Sequence, residues 1–361
     1  MIRVLVVDDS VVMRQLITRM LSSASGIEVI GFARNGNEAV SKVEQYRPDL
    51  VTLDVEMPEL DGVGALKLIK QRVPRTRVIM CSSLTAKGSA VTIDALMLGA
   101  DDYVTKQRSG EMNANAFESL QNELLAKVRQ LFPMGPAKRL ASAPPSVLLK
   151  TSPTESIAPL TPRVSPMVGP RPAPRALVIG VSTGGPSALA ELMPAFPVDF
   201  PLPILIVQHM PPLFTTSLAE RLTRLSRLPV LEATPGMPVV PGRALLAPGD
   251  FHMRLVRRNG RTETTLDQGE RECFCRPSVD ALFRSAADVF DGAVIVVVLT
   301  GMGSDGLEGT RGLKHLGARV AVQDQASSVV WGMPGAIASA HLADQVLPLQ
   351  NIYPWIARQL Q

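Results

Sequence analysis

The sequence predicts an α/β protein with two domains, each built on a mostly parallel sheet covered by helices. Short apolar runs of strand length alternate with amphipathic segments of helix length. One long stretch rich in Pro, Ser and Ala has neither period and interrupts this alternation. Because 361 residues suffice for two ordinary domains, we place the domains at residues 1–133 and 175–361. Residues 134–174 then form a flexible basic linker.

The net charge of +4 comes from the linker and not from a folded surface. Six basic residues and one acid lie between residues 134 and 175, which accounts for the whole positive excess. A basic tether without a basic folded face does not predict nucleic-acid binding. The apolar runs are far shorter than the roughly 20 residues of a membrane helix. With only three cysteines, too few and too dispersed for a zinc site, the sequence indicates a cytoplasmic protein.

In the first domain, five strand-and-helix units follow one another. The strand-like runs are "IRVLVV", "IEVIGFA", "DLVTLD", "RVIMCS" and "DDYVT", and each precedes a helix-like segment. The first of these segments repeats apolar residues at helical spacing from Met13 to Leu21, and the last ends near Phe132. Five such units predict a parallel sheet with helices on both faces and a functional site at the carboxyl ends of the strands.

The residues at these strand ends are suited to metal and phosphate chemistry. In strand order they are Asp8, Asp9, Asp54, Ser82 and Lys106. Three carboxylates at one sheet edge repel one another unless a hard cation such as Mg²⁺ lies among them. A lysine and a hydroxyl facing them could hold a phosphoryl group on one carboxylate. The sequence therefore predicts a magnesium-dependent phosphorylation site.

These residues, together with the loop "MPELDG", resemble the receiver domain of response regulators. The resemblance implies that a sensor histidine kinase donates a phosphoryl group to Asp54. It implies Mg²⁺ ligands at Asp8, Asp9 and Asp54, and phosphoryl contacts at Ser82 and Lys106.

The resemblance also assigns the switch aromatic and shows one departure from the receiver pattern. Tyr103 takes the place of the switch aromatic. Gln107 follows Lys106 where receivers usually have proline, and a cis peptide bond at a residue other than proline costs about 3 kcal/mol. We therefore expect either a trans bond or a different placement of the lysine.

The second domain opens with a strand, a glycine-rich turn and a helix in "RALVIGVSTGGPSALAELM". Residues 180–184 satisfy G-x-S-x-G, which places Ser182 on a sharp turn at the end of a strand. Pro186 suits the first turn of the helix, whose free N–H groups face developing negative charge. A turn of this composition without catalysis stays an alternative at this point, and the motif lacks the G-K-[ST] ending of a phosphate-binding loop.

A nucleophilic serine needs a base, and four histidines are available. His209 ends the next strand-like run, so we expect it at the same sheet edge as Ser182, with His252 as its only serious rival. Asp305 also follows a strand-like run. Serine, histidine and aspartate at one edge predict attack by the serine, proton uptake by the histidine and an aspartate that fixes the tautomer. The chain order differs from that of α/β-hydrolases, so we expect a different fold.

Residues 301–306 offer a competing interpretation, because their glycines spell G-x-G-x-x-G and Asp324 ends the next apolar run. That pattern is typical of a dinucleotide-binding loop. Too little chain follows Asp324 for a second mononucleotide-binding half, and a cofactor site leaves Ser182 and His209 unexplained. The glycines suit equally well an oxyanion pocket near Met302.

Across nearly the entire chain the motifs resemble the chemotaxis protein-glutamate methylesterase family. They are "GVSTGG", "VQHMPP", "APGDFHM", "RPSVD", "TGMGSDG" and "WGMP", in this order after the receiver and the linker. The resemblance implies hydrolysis of γ-glutamyl methyl esters on chemoreceptor helices, with release of methanol, and often deamidation of receptor glutamines. It assigns the nucleophile to Ser182, the base to His209, the orienting acid to Asp305 and an oxyanion donor to the N–H of Met302. Further candidates for the cleft are Thr183, His252 and Arg276.

The resemblance also implies cofactors and partners. Mg²⁺ would serve phosphotransfer in the first domain, and the hydrolase step would need no cofactor. The partners would be the cytoplasmic helices of chemoreceptors and a sensor histidine kinase, with neither nucleic acid nor membrane insertion. An interpretation from another class stays open: a phosphorylation-gated binding module that keeps the fold of the second domain without its chemistry.

Overall fold

The computed structural model describes residues 1–83, 85–106, 114–132 and 171–361. Gln107 and almost all of the linker lie outside these residues, so the expectations for both stay predictions. Within the described ranges, no helix is both long and apolar enough to cross a membrane.

The first domain is a parallel five-stranded sheet with helices on both faces, as the sequence predicts. Its strands are β1 (Ile2–Val7), β2 (Ile27–Ala33), β3 (Leu50–Asp54), β4 (Arg77–Ser83) and β5 (Asp102–Lys106). Its helices are α1 (Val11–Ser22), α2 (Gly36–Tyr46), α3 (Gly62–Arg72), α4 (Ala86–Met97) and α5 (Ala114–Leu131). The strand order is β2-β1-β3-β4-β5, and every neighbouring pair is parallel.

The two faces of this sheet bury different residues because side chains alternate along a strand. Val4 and Val6 pack in a cluster with residues of α1 and α5. Leu5 and Val7 belong to a second cluster with residues of α2, α3 and α4. Four helices begin at a polar residue whose side chain accepts a hydrogen bond from the backbone N–H three residues later, which satisfies one free donor of the helix end. These residues are Ser10, Asn35, Asp61 and Thr85.

The second domain contains a seven-stranded parallel sheet and a separate antiparallel hairpin. Its strands are β6 (Ala176–Val181), β7 (Ile204–Gln208), β8 (Val230–Glu232), β9 (Ala244–Leu246), β10 (His252–Arg258), β11 (Arg261–Asp267), β12 (Val294–Val298), β13 (Arg319–Gln323) and β14 (Gln345–Leu347). Its helices are α6 (Gly185–Leu192), α7 (Phe214–Leu225), α8 (Val279–Phe290), α9 (Leu307–His315), α10 (Met333–Ser339) and α11 (Leu349–Arg358). The hairpin is formed by β10 and β11.

The position of β6 in the large sheet determines where a site can form. The strand order is β14-β13-β12-β6-β7-β9-β8, so the chain leaves β6 toward β7 and later returns to its other side through β12. Every residue of β6 and β12 is buried, which explains the continuous apolar runs in the sequence. Ligands of such sheets bind at the carboxyl ends of the strands where the order reverses. In this domain that point is the shared edge of β7, β6 and β12.

The two domains pack against each other through α4 and β5 of the first and α6 and α7 of the second. The buried ring of Tyr103 stacks on Phe214, with 4.7 Å between ring centroids. Arg221 on α7 forms an ion pair with Asp94 on α4, with 3.0 Å between Nε and Oδ1. The receiver therefore lies close to the carboxyl end of β6.

Candidate active site and phosphorylation site

At the carboxyl edge of the first sheet, one lysine contacts two buried carboxylates. Lys106 Nζ lies 2.6 Å from Asp54 Oδ1 and 3.0 Å from Asp8 Oδ2. One carboxylate oxygen from each of Asp8, Asp9 and Asp54 lies within 4.8 Å of the others. Burial, together with repulsion from Asp8 and Asp9, raises the pKa of Asp54 to about 6 in spite of Lys106. Three oxygen ligands and this excess of negative charge fit a hard divalent cation such as Mg²⁺.

The other two receiver residues, Ser82 and Tyr103, have partners other than Asp54 in the described part of the chain. The Ser82 hydroxyl is buried and donates to the carbonyls of Ser83 and Gly88, while it accepts a hydrogen bond from Thr92 Oγ1 at 2.6 Å. Its hydrogen bonds therefore hold it to α4 in this structure. Tyr103 is held in the stack between the domains. A contact of Ser82 with a phosphoryl group stays a prediction.

In the second domain, the ends of three adjacent strands surround Ser182. Ser182 directly follows β6 and His209 directly follows β7, and the pairing of Val181 with Gln208 places both at the same level of the sheet. On the other side, Ser182 N–H donates to the carbonyl of Thr300 at 3.0 Å, just beyond β12. The shared edge expected from the sequence is therefore present in the backbone.

Asp305 is buried where the helix α8 begins. Its carboxylate accepts hydrogen bonds from Val279 N at 2.7 Å, Asp280 N at 3.0 Å and Ser278 Oγ at 2.9 Å. His209 Nε2 is 2.8 Å from Oδ2 of the same carboxylate. Burial alone would raise the pKa of Asp305, but His209 and the backbone N–H groups hold it below its usual range. The helix start thus keeps this acid ionised.

The imidazole of His209 is held at both ring nitrogens. Nε2 faces Asp305, and Nδ1 lies 3.5 Å from Cys275 Sγ. Burial disfavours the charged form, yet the hydrogen bonds with Asp305 and Cys275 outweigh it and raise the pKa of His209 to about 10. Among the described residues, these two are the hydrogen-bond partners of the ring. The structure therefore joins His209 to Asp305 but does not bring the Ser182 hydroxyl onto the ring.

The glycines of residues 301–306 have a packing explanation. A Cβ atom on Gly301 would lie 2.8 Å from the Ser182 Cβ, and Gly306 adopts a left-handed φ of 93°. Asp324, expected to bind a ribose in the dinucleotide interpretation, accepts hydrogen bonds from the N–H and hydroxyl of Ser327. The loop is thus shaped by its contact with Ser182, which disfavours a cofactor site.

Thr183 and Met302 differ in their hydrogen bonding. Thr183 Oγ1 donates to Asp102 Oδ2 of the receiver at 2.8 Å, directly beside Ser182. In the described part of the chain the N–H of Met302 has no hydrogen-bond partner, as an oxyanion donor requires.

His252 and Arg276, expected at the wall of the cleft, both make hydrogen bonds with neighbouring residues, and their place in the cleft stays a prediction. His252 is fully buried, and its Nδ1 accepts from Ser278 N while Nε2 lies 2.9 Å from the carbonyl of Glu270. Its ring therefore accepts a hydrogen bond from the residue that precedes α8. Arg276 is occupied by two hydrogen bonds to Asp250 and two to backbone carbonyls. The hydrogen bonds of both side chains hold the loop before α8 in place, and they satisfy the polar groups of the two side chains.

Sequence reasoning missed two residues that contact this site. Cys275 was considered only for zinc, although it directly precedes the motif "RPSVD". Gln208 is buried, and its Nε2 donates to the carbonyls of Ser182 and His209 at 3.0 and 3.2 Å. A polar residue at the end of an apolar strand was the only available signal for Gln208.

Comparison with known proteins covers both domains. The CheB methylesterase family matches residues 177–356, and the response regulator receiver domain matches residues 4–116. A protein-glutamate methylesterase/protein-glutamine glutaminase of Trichodesmium erythraeum is 44% identical over 99% of both chains. A protein of the same name from a Nocardioides species is 45% identical over 99% of this chain and 95% of its own.

A solved structure matches the second domain. The CheB methylesterase catalytic domain of Thermotoga maritima is 42% identical, with a TM-score of 0.51, over 52% of this chain and 98% of its own. The two family matches place the receiver before the methylesterase domain along the chain. The chain belongs to the CheB methylesterase family, with a response regulator receiver domain ahead of the catalytic domain.

Proposed function

We propose that this protein is a phosphorylation-activated hydrolase that removes methyl esters from glutamate side chains of chemoreceptors and deamidates receptor glutamines. The observation that carries the proposal is the His209–Asp305 pair, 2.8 Å apart, on the strand end beside Ser182. An oriented imidazole next to a serine on a tight turn is the arrangement that activates a hydroxyl for acyl transfer. The names of the full-length relatives support this substrate class.

The chemistry follows from which nitrogen of His209 is available. Because Nε2 faces Asp305, Nδ1 takes the proton as Ser182 Oγ forms a bond to the ester carbonyl carbon. The N–H of Met302 donates to the developing oxyanion. Collapse of the intermediate breaks the bond to the methoxy group, which leaves as methanol with the proton from His209. Water then hydrolyses the acyl-serine by the same steps, and a primary amide releases ammonia in place of methanol.

In the resting arrangement His209 is not ready to act as a base. A pKa of about 10 keeps the imidazole charged at neutral pH, and Nδ1 contacts Cys275. Substrate binding therefore has to bring the Ser182 hydroxyl to Nδ1 in place of the thiol. Loss of the thiol contact removes one of the interactions that raise the pKa of His209, and so favours release of the proton from Nδ1.

The proposed regulation uses the contact between the domains. Thr183 beside the nucleophile is hydrogen-bonded to Asp102 of the receiver, and Tyr103 stacks on Phe214 at the start of α7. In this arrangement the receiver restricts access of receptor helices to Ser182. A phosphoryl group on Asp54, formed with Mg²⁺ held by the receiver carboxylates, weakens this packing. Full conversion from 1:99 to 99:1 takes about 5.5 kcal/mol, so we expect a partial shift with basal activity remaining.

The proposed partners are the receptor helices and a sensor histidine kinase in the cytoplasm. The test is methanol release from receptor membranes carrying labelled methyl esters, measured with and without a phosphodonor and Mg²⁺. We expect release in both cases and a faster rate with the phosphodonor. Binding to the membranes without release would support a binding module, and a saturable NADH fluorescence change that Asp305→Asn abolishes would support a cofactor site.

A further inference from the structure

The thiol of Cys275 occupies the side of the His209 ring that faces away from Asp305. Cys275 Sγ lies 3.5 Å from Nδ1, and Nε2 lies 2.8 Å from the Asp305 carboxylate. Thiol, imidazole and carboxylate therefore stand in line across one ring. A base activates a nucleophile that lies within its reach, and a third group on the far side of the base keeps the base oriented.

The surroundings of this thiol differ from those of the other two cysteines. Cys275 is partly exposed, Cys273 is exposed and Cys81 is buried in the receiver. Burial raises the pKa of the Cys81 thiol to about 12, so this cysteine is inert at neutral pH. Reactive cysteines in proteins are partly accessible and lie beside a cation such as an imidazolium, and only Cys275 contacts the His209 ring.

The charged groups around the ring favour the imidazolium that such a thiol requires. The Asp305 carboxylate faces Nε2. Asp280, in the first turn of α8, donates its backbone N–H to the same carboxylate. Oxygen atoms of these two acids and Cys273 Sγ lie within 4.8 Å of one another, so the negative charge lies on the Asp305 side of the ring. In the described part of the chain, the Cys275 thiol is the hydrogen-bond partner of Nδ1.

We propose that Cys275 is a modification site, at which hydroperoxides and alkylating electrophiles react and thereby stop the hydrolase. With a hydroperoxide, the sulfur attacks the terminal oxygen, the O–O bond breaks, and the products are a sulfenic acid and an alcohol or water. With iodoacetamide, an S–C bond forms, iodide leaves, and the thiol proton passes through His209 to solvent. Either adduct fills the space beside Nδ1 that Ser182 needs. This consequence for activity rests on the proposed function, whereas the reaction at the thiol does not.

The test uses the full-length protein and a limiting amount of iodoacetamide at neutral pH. Because trypsin does not cleave the Arg276–Pro277 bond, residues 272–284 form one tryptic peptide with both loop cysteines, and tandem mass spectrometry has to assign the label. We expect Cys275 to react at least about tenfold faster than Cys273, as for a thiol activated by a neighbouring imidazolium. His209→Gln should remove most of that advantage, whereas Ser182→Ala should keep it because the serine is not a partner of the thiol.

Activity provides the second measurement. Iodoacetamide should stop methanol release in the wild type and in Cys273→Ser, in step with labelling of Cys275, and Cys275→Ser should retain its own untreated rate. Loss caused by hydrogen peroxide should be recovered with a thiol reductant. Preferential labelling of Cys273 in the wild type would overturn the proposal. So would a rate advantage of Cys275 over Cys273 that stays unchanged in His209→Gln. Labelling of Cys275 in a protein that never releases methanol would instead contradict the proposed function.

Discussion

The two domains each place a buried aspartate at the carboxyl edge of a parallel sheet, yet the pKa values of these acids move in opposite directions. Burial and two neighbouring acids raise the pKa of Asp54 to about 6. Asp305 is equally buried, but hydrogen bonds from His209 and backbone N–H groups hold its pKa below the usual range. The two acids occupy the same position in their sheets, so the difference between their pKa values comes from the groups that surround each carboxylate.

The difference shows what each edge still needs. Asp54 has one cationic partner, Lys106, which it shares with Asp8. That edge lacks positive charge and suits a cation and then a phosphoryl group. Asp305 has three donors at the start of α8 in addition to His209, so its charge is already stabilised. The second edge therefore needs no further charge to stabilise its acid, but the Ser182 hydroxyl still has to replace Cys275 at His209 Nδ1.

The largest expected effect comes from removing the proposed nucleophile. Ser182→Ala should lower methanol release by roughly 10⁶, as for loss of the serine in other catalytic triads. The hydroxyl has no structural hydrogen bond among the described residues, so the variant should fold and still take up phosphate on Asp54. Methanol release from labelled receptors checks the rate, and phosphate uptake is the control. A rate within tenfold of the wild type would rule out Ser182 as the nucleophile.

The second largest effect is expected for the orienting acid. Asp305→Asn should lower turnover by up to roughly 10⁴, because a neutral amide no longer favours the required tautomer or the imidazolium. Asp280→Asn is the matched control, since Asp280 is also buried and accepts a hydrogen bond, from Gly309 N at 2.6 Å, within the same helix contact. We expect Asp305→Asn to lose turnover and Asp280→Asn to keep it. Equal losses of turnover would mean that Asp305 acts through the fold alone.

Much of this site could be predicted from the sequence because parallel strands bring their carboxyl ends to one edge. Apolar runs of strand length located β6 and β7, and the polar residue after each run gave Ser182 and His209. The same reasoning gave Asp8 and Asp54. Strand periodicity is local, so it survives without knowledge of the tertiary fold.

The remaining contacts depend on how distant segments meet. Cys275 lies in an irregular loop before α8, and nothing in its neighbourhood indicates that this loop folds back over His209. The hydrogen bond of His252 with Ser278 N at the start of α8 likewise joins segments that are distant in sequence. The stack of Tyr103 on Phe214 requires the relative placement of two domains, which no sequence period records.

Removing the phosphoryl acceptor should affect activation but not the catalytic edge. Asp54→Asn should abolish the increase in methanol release caused by a phosphodonor, while the basal rate stays within about twofold because Asp54 contacts no residue of the second edge. Methanol release with and without phosphodonor measures both quantities on one preparation. Activation that persists in the variant would show that phosphorylation of Asp54 is not the signal.

A smaller effect is expected from loosening the contact between the domains. Arg221→Ala removes the ion pair with Asp94 on α4 and should raise the basal rate about twofold to fivefold, as expected for the loss of one partly exposed pair. Arg224→Ala is the matched control, because Arg224 lies on the same helix and, within the described ranges, its ion pair is with Glu220 of its own domain. If both variants raise the rate equally, the receiver contact does not restrict access to Ser182.

The smallest effect concerns the stability of the receiver as a function of pH. The pKa of Asp54 is about 6 in the fold and near 3.8 without it, so the folded receiver binds a proton more tightly than the unfolded chain. The ionised acid therefore destabilises the fold above pH 6, by up to about 3 kcal/mol, and the cost disappears as the pH falls toward 4. Without Mg²⁺, Asp54→Asn should raise the receiver melting temperature at pH 7.5.

Calorimetry of the full chain at several pH values would measure this difference. The difference in receiver melting temperature between wild type and Asp54→Asn should be smaller at pH 4.5 than at pH 7.5. At pH 7.5 it should also become smaller when Mg²⁺ is added, because the cation stabilises only the wild-type carboxylate. Glu56→Gln removes an exposed acid near the same edge and should leave the melting temperature unchanged. A gap that does not depend on pH would mean that Lys106 already balances the charge, and the two buried aspartates would then differ less than their surroundings indicate.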